Sequence, residues 1–180
     1  MLALHARYRG RETDRAAIVA RSAQALATLP GVSPFEVLGV EDIRTTITTP
    51  EALTNLTMAL LSDGGWAVGI GIAVPSQART AASAAVSRRA GQVRVRGAAG
   101  AEYVEAAFVL LSQVLAKRTY EGREATSLVR RGLNQNEAAE ELGISKQAMS
   151  QRLQAAGWAA EQAGWRLAVH LIGAADSARG

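Results

Sequence analysis

Two-residue and three-to-four-residue repeats of hydrophobic positions alternate in the first half of the chain, and only the three-to-four-residue repeat continues in the second. Over Met1–Tyr8, Leu2, Leu4 and Ala6 alternate with polar or small residues, the pattern of a strand with one inward face. Asp14 can cap a helix running to about Leu29, in which Ile18, Val19, Ser22, Leu26 and Leu29 share one side, and Pro30-Gly31 stops it. Phe35–Val40 and Asp42–Thr48 read as strands. Thr49-Pro50 opens a helix carrying Leu53, Leu56, Leu60 and Leu61, which ends at Asp63-Gly64-Gly65. Trp66–Val74 (WAVGIGIAV) is short, uncharged and β-branched at alternate positions, and Pro75 ends it as a strand. Beyond Pro75 the pattern predicts an Ala/Ser-rich helix over Ser76–Arg89 and a Gly-containing connection over Ala90–Gly100. From Ala101 to Ala174 it predicts helices alone. The first, Ala101–Arg118, stripes Val104, Phe108, Leu111 and Leu115, and the last, Trp158–Ile172, carries Trp158, Trp165, Val169 and Ile172 on one flank.

Composition narrows this picture. The 180 residues allow one domain or two small ones, and 48% apolar content is enough for a real core. Cysteine is absent, which excludes a disulfide scaffold, a Cys-ligated zinc or iron–sulfur site and a thiol nucleophile. The two histidines, His5 and His170, lie far apart, so no metal site is expected. No apolar run approaches the ~20 residues that cross a bilayer, and MLALHARYRGR lacks the layout of a secretion signal. The expectation is a cytoplasmic protein that makes no membrane contact. Heavy use of Ala, Gly and Arg points to a GC-rich bacterial source. The net charge of +4 is uneven: Arg79, Arg88, Arg89, Arg94 and Arg96 fall between Gln77 and Gly97 with no acid among them. This run reads either as a solvated helix face followed by a loop or as a supporting phosphate contact.

The segment Glu124–Trp158 carries the strongest local signals. Asn134 is a strong N-cap, and Glu137 can close a capping box three positions on. Gln135–Leu142 is then a two-turn helix with Ala138, Ala139 and Leu142 inward. Gly143 suits the positive φ of a helix C-terminus, Ile144 plugs the turn, and Ser145 caps a second helix to about Ala155 with Ala148, Met149 and Leu153 inward. Helix, short glycine-containing turn and helix make a helix-turn-helix over 134–156. With Gln135 as its first position, Ala139, Gly143, Ile144 and Met149 fill the small, glycine and two apolar positions that such a motif needs. An αα-corner in a bundle core would explain the same apolar residues. It would not explain the outer face of the second helix, where Ser145, Lys146, Gln147, Ser150, Gln151 and Gln154 include no acid. Gln147 and Gln151 can make paired hydrogen bonds to adenine, and Lys146 can reach guanine or a phosphate. Ser145 and Ser150 suit close backbone and phosphate approach, and Gln135 is a further expected DNA-binding residue. Arg152 on the opposite flank, with Arg130 and Arg131 on the preceding helix, suits phosphates.

These residues resemble the helix-turn-helix of sigma-70 region 4 and MarR-like proteins, whose common form Q-x-E-A-A-E-x-L-G-I-S-x-x-A-M-S-x-R-L is matched from Gln135 to Leu153. The Gly69–Ala73 strand (GIGIA) together with NQNEAAEELGISKQAMSQRL resembles the SatD family of bacterial proteins more loosely. That resemblance implies an N-terminal α+β part and a C-terminal helix-turn-helix. Where such proteins tend to carry Gly-Asp after the first strand, this chain has His5-Ala6-Arg7.

The expected fold class is therefore α+β. A small α/β half over 1–97, ferredoxin-like or degenerate, would serve dimerisation, sensing or protein contact, and an all-helical half over 98–180 would hold the helix-turn-helix. The expected function is a sequence-specific, nucleoid-associated transcriptional regulator. It would set 145–155 in the major groove of double-stranded DNA as a homodimer and would contact RNA polymerase or another protein. The tryptophan flank of the last helix reads either as internal packing or as the dimer interface. One rival is a protein-interaction adaptor built on a helix-turn-helix-shaped bundle. The other is a degenerate nucleotide-binding enzyme. Glu41 and Asp42, adjacent on a strand, face opposite ways and do not share an ion easily. Gly69-Ile70-Gly71 lies inside a strand, where glycines mark the close approach of another backbone rather than a phosphate cradle. Hence no enzyme, cofactor or metal is expected.

Overall fold

The computed structural model describes residues 1–178. Alternation along the first segment forms β1 (Leu2–Tyr8), with Leu2, Leu4, Ala6 and Tyr8 turned into one core and Ala3, His5 and Arg7 turned to the other face of the sheet. Then come α1 (Arg15–Leu26), the two-residue β2 (Glu36–Val37), β3 (Asp42–Ile47), α2 (Pro50–Asp63), β4 (Trp66–Ile72), α3 (Ala78–Ala85) and β5 (Val93–Arg96). The expected helix starts hold: Asp14 accepts from the Ala17 N–H at 3.2 Å, and Thr49 from the Ala52 N–H at 3.1 Å. The strands form one sheet in the order β2-β3-β1-β4-β5. β1 is antiparallel to both neighbours, and β4 and β5 are parallel. The α+β class is realised in the degenerate rather than the ferredoxin-like form, because the parallel pair joined by α3 is directly adjacent and no strand is inserted between its members.

β5 lies inside what the sequence suggests is a loop. VRVR is only four residues long, with Val93 and Val95 buried and Arg94 and Arg96 exposed, so its alternation is hidden within the arginine run. Its outer edge is not left open: Glu105 accepts from the Val95 N–H at 3.0 Å and from Arg94 at 2.7 Å.

α3 lies on one face of the sheet. Gly69 and Gly71 of β4 admit it: a Cβ on Gly71 would stand 2.1 Å from the Ala78 carbonyl oxygen, and one on Gly69 2.3 Å from that of Ala82. Close backbone approach is thus the role of these glycines. The opposite face carries the main core, filled by Leu4, Ile43, Leu53, Leu56, Leu60, Trp66 and Ile70. α4 (Ala101–Ala116) adds Val104, Phe108, Leu111 and Leu115 to this core, and α8 (Trp158–Ser177) adds Ala168, Ile172 and Ala175. The main core therefore crosses residue 97.

α5 (Tyr120–Arg130), α6 (Gln135–Glu141) and α7 (Lys146–Ala155) enclose a second, smaller core of Ala125, Leu128, Ala138, Ala139, Met149 and Leu153. α8 spans both cores, with Trp158 packed on the second and its C-terminal half on the first. The tryptophans of α8 serve internal packing: Trp158 is half-buried in the second cluster, and Trp165 packs on the main core and donates to Asn55 at 2.7 Å. Among the described residues no helix is long and apolar enough to cross a membrane.

Candidate nucleic-acid interface

Local chemistry sets the two helices of the motif. The Asn134 side chain accepts from the N–H groups of Asn136 and Glu137 at 2.9 and 3.1 Å. Glu137 in turn accepts from the Asn134 N–H at 2.8 Å, so the capping box closes. At the other end of α6, Gly143 has φ +62. Its N–H bonds the Glu140 carbonyl at 3.0 Å, and the Ile144 N–H bonds the Ala139 carbonyl at 3.0 Å. This pair of bonds is a Schellman motif, and it folds the half-buried Ile144 back beside Ala139. Ser145 then caps α7, its hydroxyl oxygen accepting from the Ala148 N–H at 3.1 Å. The hydroxyl proton remains available to a phosphate. Turn and caps set the course of the chain from α6 into α7, and the core shared with α5 holds the pair in place.

With Met149 and Leu153 buried, α7 presents Ser145, Lys146, Gln147, Ser150, Gln151 and Gln154 outward, all exposed. The acids of the motif, Glu137, Glu140 and Glu141, belong to α6. Gln135 is exposed at the first position of α6, and Arg131 is exposed just beyond α5.

Two of the remaining expected cations, Arg152 on the opposite flank and Arg130 on α5, lie beside carboxylates. Arg152 is half-buried beside Glu121. Glu121 is held below the usual carboxylate range by its own backbone N–H and the Thr119 hydroxyl, with a smaller contribution from Arg152. Arg130 donates to Glu161 at 2.6 Å and lies over the Trp158 ring, 5.8 Å from its centre. Glu161 is also paired with Arg118, and both of these side chains are almost fully buried. Arg118 Nε donates to the Ala156 carbonyl at 2.8 Å. The triad Arg118–Glu161–Arg130 thus ties the end of α4, the end of α5, the residue that closes α7 and the first turn of α8 at one point. No family model, curated protein or solved structure matches the chain. Its own geometry therefore carries the functional argument.

A second polar array lies beneath α3. His5, 4% exposed, shares hydrogen bonds with Ser83 Oγ at 2.9 Å through Nδ1 and with Asp42 Oδ1 at 2.7 Å through Nε2. Arg7 donates to the same Asp42 oxygen at 2.7 Å, and Arg44 donates to Ser83 Oγ at 3.1 Å. Burial lowers the pKa of His5 despite the Asp42 bond, so the ring is neutral near pH 7. Burial pushes Asp42 upward, but the bonds from His5 and Arg7 outweigh it and hold the carboxylate below its usual range. The residue types match a nucleophilic triad, yet His5 is covered and Arg44 occupies the serine oxygen. The array pins α3 to β1 and β3. The alternation of β1 sends His5 and Arg7 to the same face, but nothing in it points to Asp42, Arg44 or Ser83.

The arginine run is partly engaged as well. Arg79 pairs with Glu36 at 3.1 Å and Arg94 with Glu105 at 2.7 Å, while Arg88, Arg89 and Arg96 are exposed. Among the described residues, no group of three or more His, Asp or Glu side chains is arranged to hold a metal ion.

Proposed function

We propose that this chain is a sequence-specific DNA-binding transcriptional regulator that lays α7 in the major groove. One observation carries the reading: an acid-free outer face of amides, hydroxyls and one lysine on a helix whose course out of α6 is set by capping box, Schellman turn and serine cap. In this reading Gln147 and Gln151 read base edges, and Lys146, Ser145 and Ser150 meet phosphates or neighbouring bases. Arg131 and Gln135 flank the groove on the phosphate backbone. Arg130 and Arg152 hold the unit together instead of contacting DNA. The resemblance of Gln135–Leu153 to sigma-70 region 4 and MarR-like motifs, and the looser one to SatD-like proteins, agree with this assignment. The α+β half has no catalytic part in it.

Selection of random-sequence duplexes by the purified full chain, at two salt concentrations, tests the proposal. Enrichment of a defined site with affinity falling steeply with salt is the expected result. Failure to enrich any sequence, together with salt-insensitive capture of a protein partner, would favour the adaptor reading.

A further inference from the structure

α4 turns one stripe into the main core and leaves the other bare. The buried stripe is Val104, Ala107, Phe108, Leu111 and Leu115. The outward stripe is Glu102, Tyr103, Ala106, Val109, Leu110, Gln113, Ala116 and Lys117, every one exposed. Its three large apolar residues keep 61% (Tyr103), 46% (Val109) and 65% (Leu110) of their surface. Scattered exposed apolar side chains are ordinary, but three large ones gathered with Ala106 on about two turns of one helix face are not. At 1.5 Å per residue the stripe runs about 22 Å from Glu102 to Lys117.

The order of residues along the stripe is self-complementary about its centre, which falls between Val109 and Leu110. When the helix is laid antiparallel on a copy of itself, Glu102 meets Lys117, the large Tyr103 meets the small Ala116, Ala106 meets Gln113, and Val109 meets Leu110. Both rims then join opposite charges, and the two helix dipoles oppose each other. A two-fold interface requires this property, since each residue must suit the one at the mirrored position.

We propose that the outward stripe of α4 is a two-fold, antiparallel interface between two copies of this chain, with Val109 and Leu110 at the axis. All of its observations lie on α4, so it stands independently of the DNA-binding reading. It also moves the dimer contact away from the α8 tryptophans, which are engaged internally.

The test is light scattering on the full chain across a concentration series. Wild type is expected to dimerise. Leu110→Asp is expected to raise the dimer Kd about thirty-fold or more, the scale of a central interface residue, with circular dichroism unchanged. Glu102→Lys and Lys117→Glu should each weaken the dimer about two- to fivefold, and the double exchange should restore it. Because the chain has no cysteine, Leu110→Cys introduces a lone thiol at the axis. Mild oxidation should link two copies there, whereas Ala84→Cys, exposed on α3, should not link. A chain that is monomeric at every concentration would overturn the proposal. So would a dimer indifferent to Leu110→Asp, or a charge exchange that fails to restore association.

Discussion

The outward faces of α4 and α7 sit on helices whose inner stripes follow the same rule and whose outer stripes do not. Inside, Phe108 and Leu111 of α4 and Met149 and Leu153 of α7 are buried at helical spacing. Outside, α4 shows Tyr103, Val109 and Leu110, whereas α7 shows glutamines, serines and a lysine. The inner stripe tells where a helix sits and says nothing about what the other side meets. An apolar outer stripe with charged ends suits another protein surface. A polar, acid-free one of amides, hydroxyls and a lysine suits the edges of bases and the phosphates around them. The supporting cores differ as well: α4 rests on the large core over the sheet, and α7 on a core of six buried residues from α5, α6 and α7, against which Trp158 of α8 packs.

The strongest way to break the contrast is to remove the support of α7 while sparing α4. Glu161→Gln would leave the buried Arg118 guanidinium without its anion, at a cost of about 3–5 kcal/mol. Urea denaturation should register the loss, and hydrogen exchange should place the earliest opening in α5–α7. Equal loosening of α4 would show that the two cores are not distinct in stability. Next in size, Gln147→Ala and Gln151→Ala should each lose about 1–3 kcal/mol of discrimination at one base pair, read as relaxed preference in binding to point-substituted sites. Lys146→Ala should instead lower affinity for all sequences alike and reduce the salt slope by about one. Asn134→Ala, which opens the capping box, should cost about 1 kcal/mol of stability, measured by thermal melting, with base preference unchanged.

The smallest effect concerns pH and the sheet. The folded chain resists protonating His5 because the ring is buried, while the unfolded chain accepts a proton near the ordinary value of about 6.5. Proton uptake therefore favours unfolding, and stability should fall as pH drops below about 6.5. Asp42, held low in the fold, adds a further loss only in the carboxylate range. In His5→Gln the first loss should flatten and the second remain. An unchanged profile between pH 7 and 5 would remove His5 from this account.

Legibility from sequence followed the range of the interactions. The motif was readable because its determinants are local: Asn134 and Glu137 lie three apart, Gly143 and Ser145 follow at fixed offsets, and each bond they predict is present. Helix α2 and strand β4 were readable for the same reason. β5 was not, since four residues cannot establish a period and arginines supplied half of them. The Arg118–Glu161–Arg130 triad and the His5–Asp42–Ser83 array join residues brought together only by the fold, so no spacing announces them. The carboxylates beside Arg130 and Arg152 were hidden likewise. Trp158 and Trp165 showed a helical flank, but a single helix does not say which neighbour its flank meets.

The most direct test of the central claim is a side-by-side selection of random duplex DNA by the wild-type chain and by a variant carrying Gln147→Ala and Gln151→Ala. The account predicts that wild type enriches a defined sequence and that the variant loses preference at particular base pairs within it while still binding DNA in a salt-dependent way. The same enriched sequence from both proteins, or none from wild type, would contradict the assignment of α7 as the element that reads the groove.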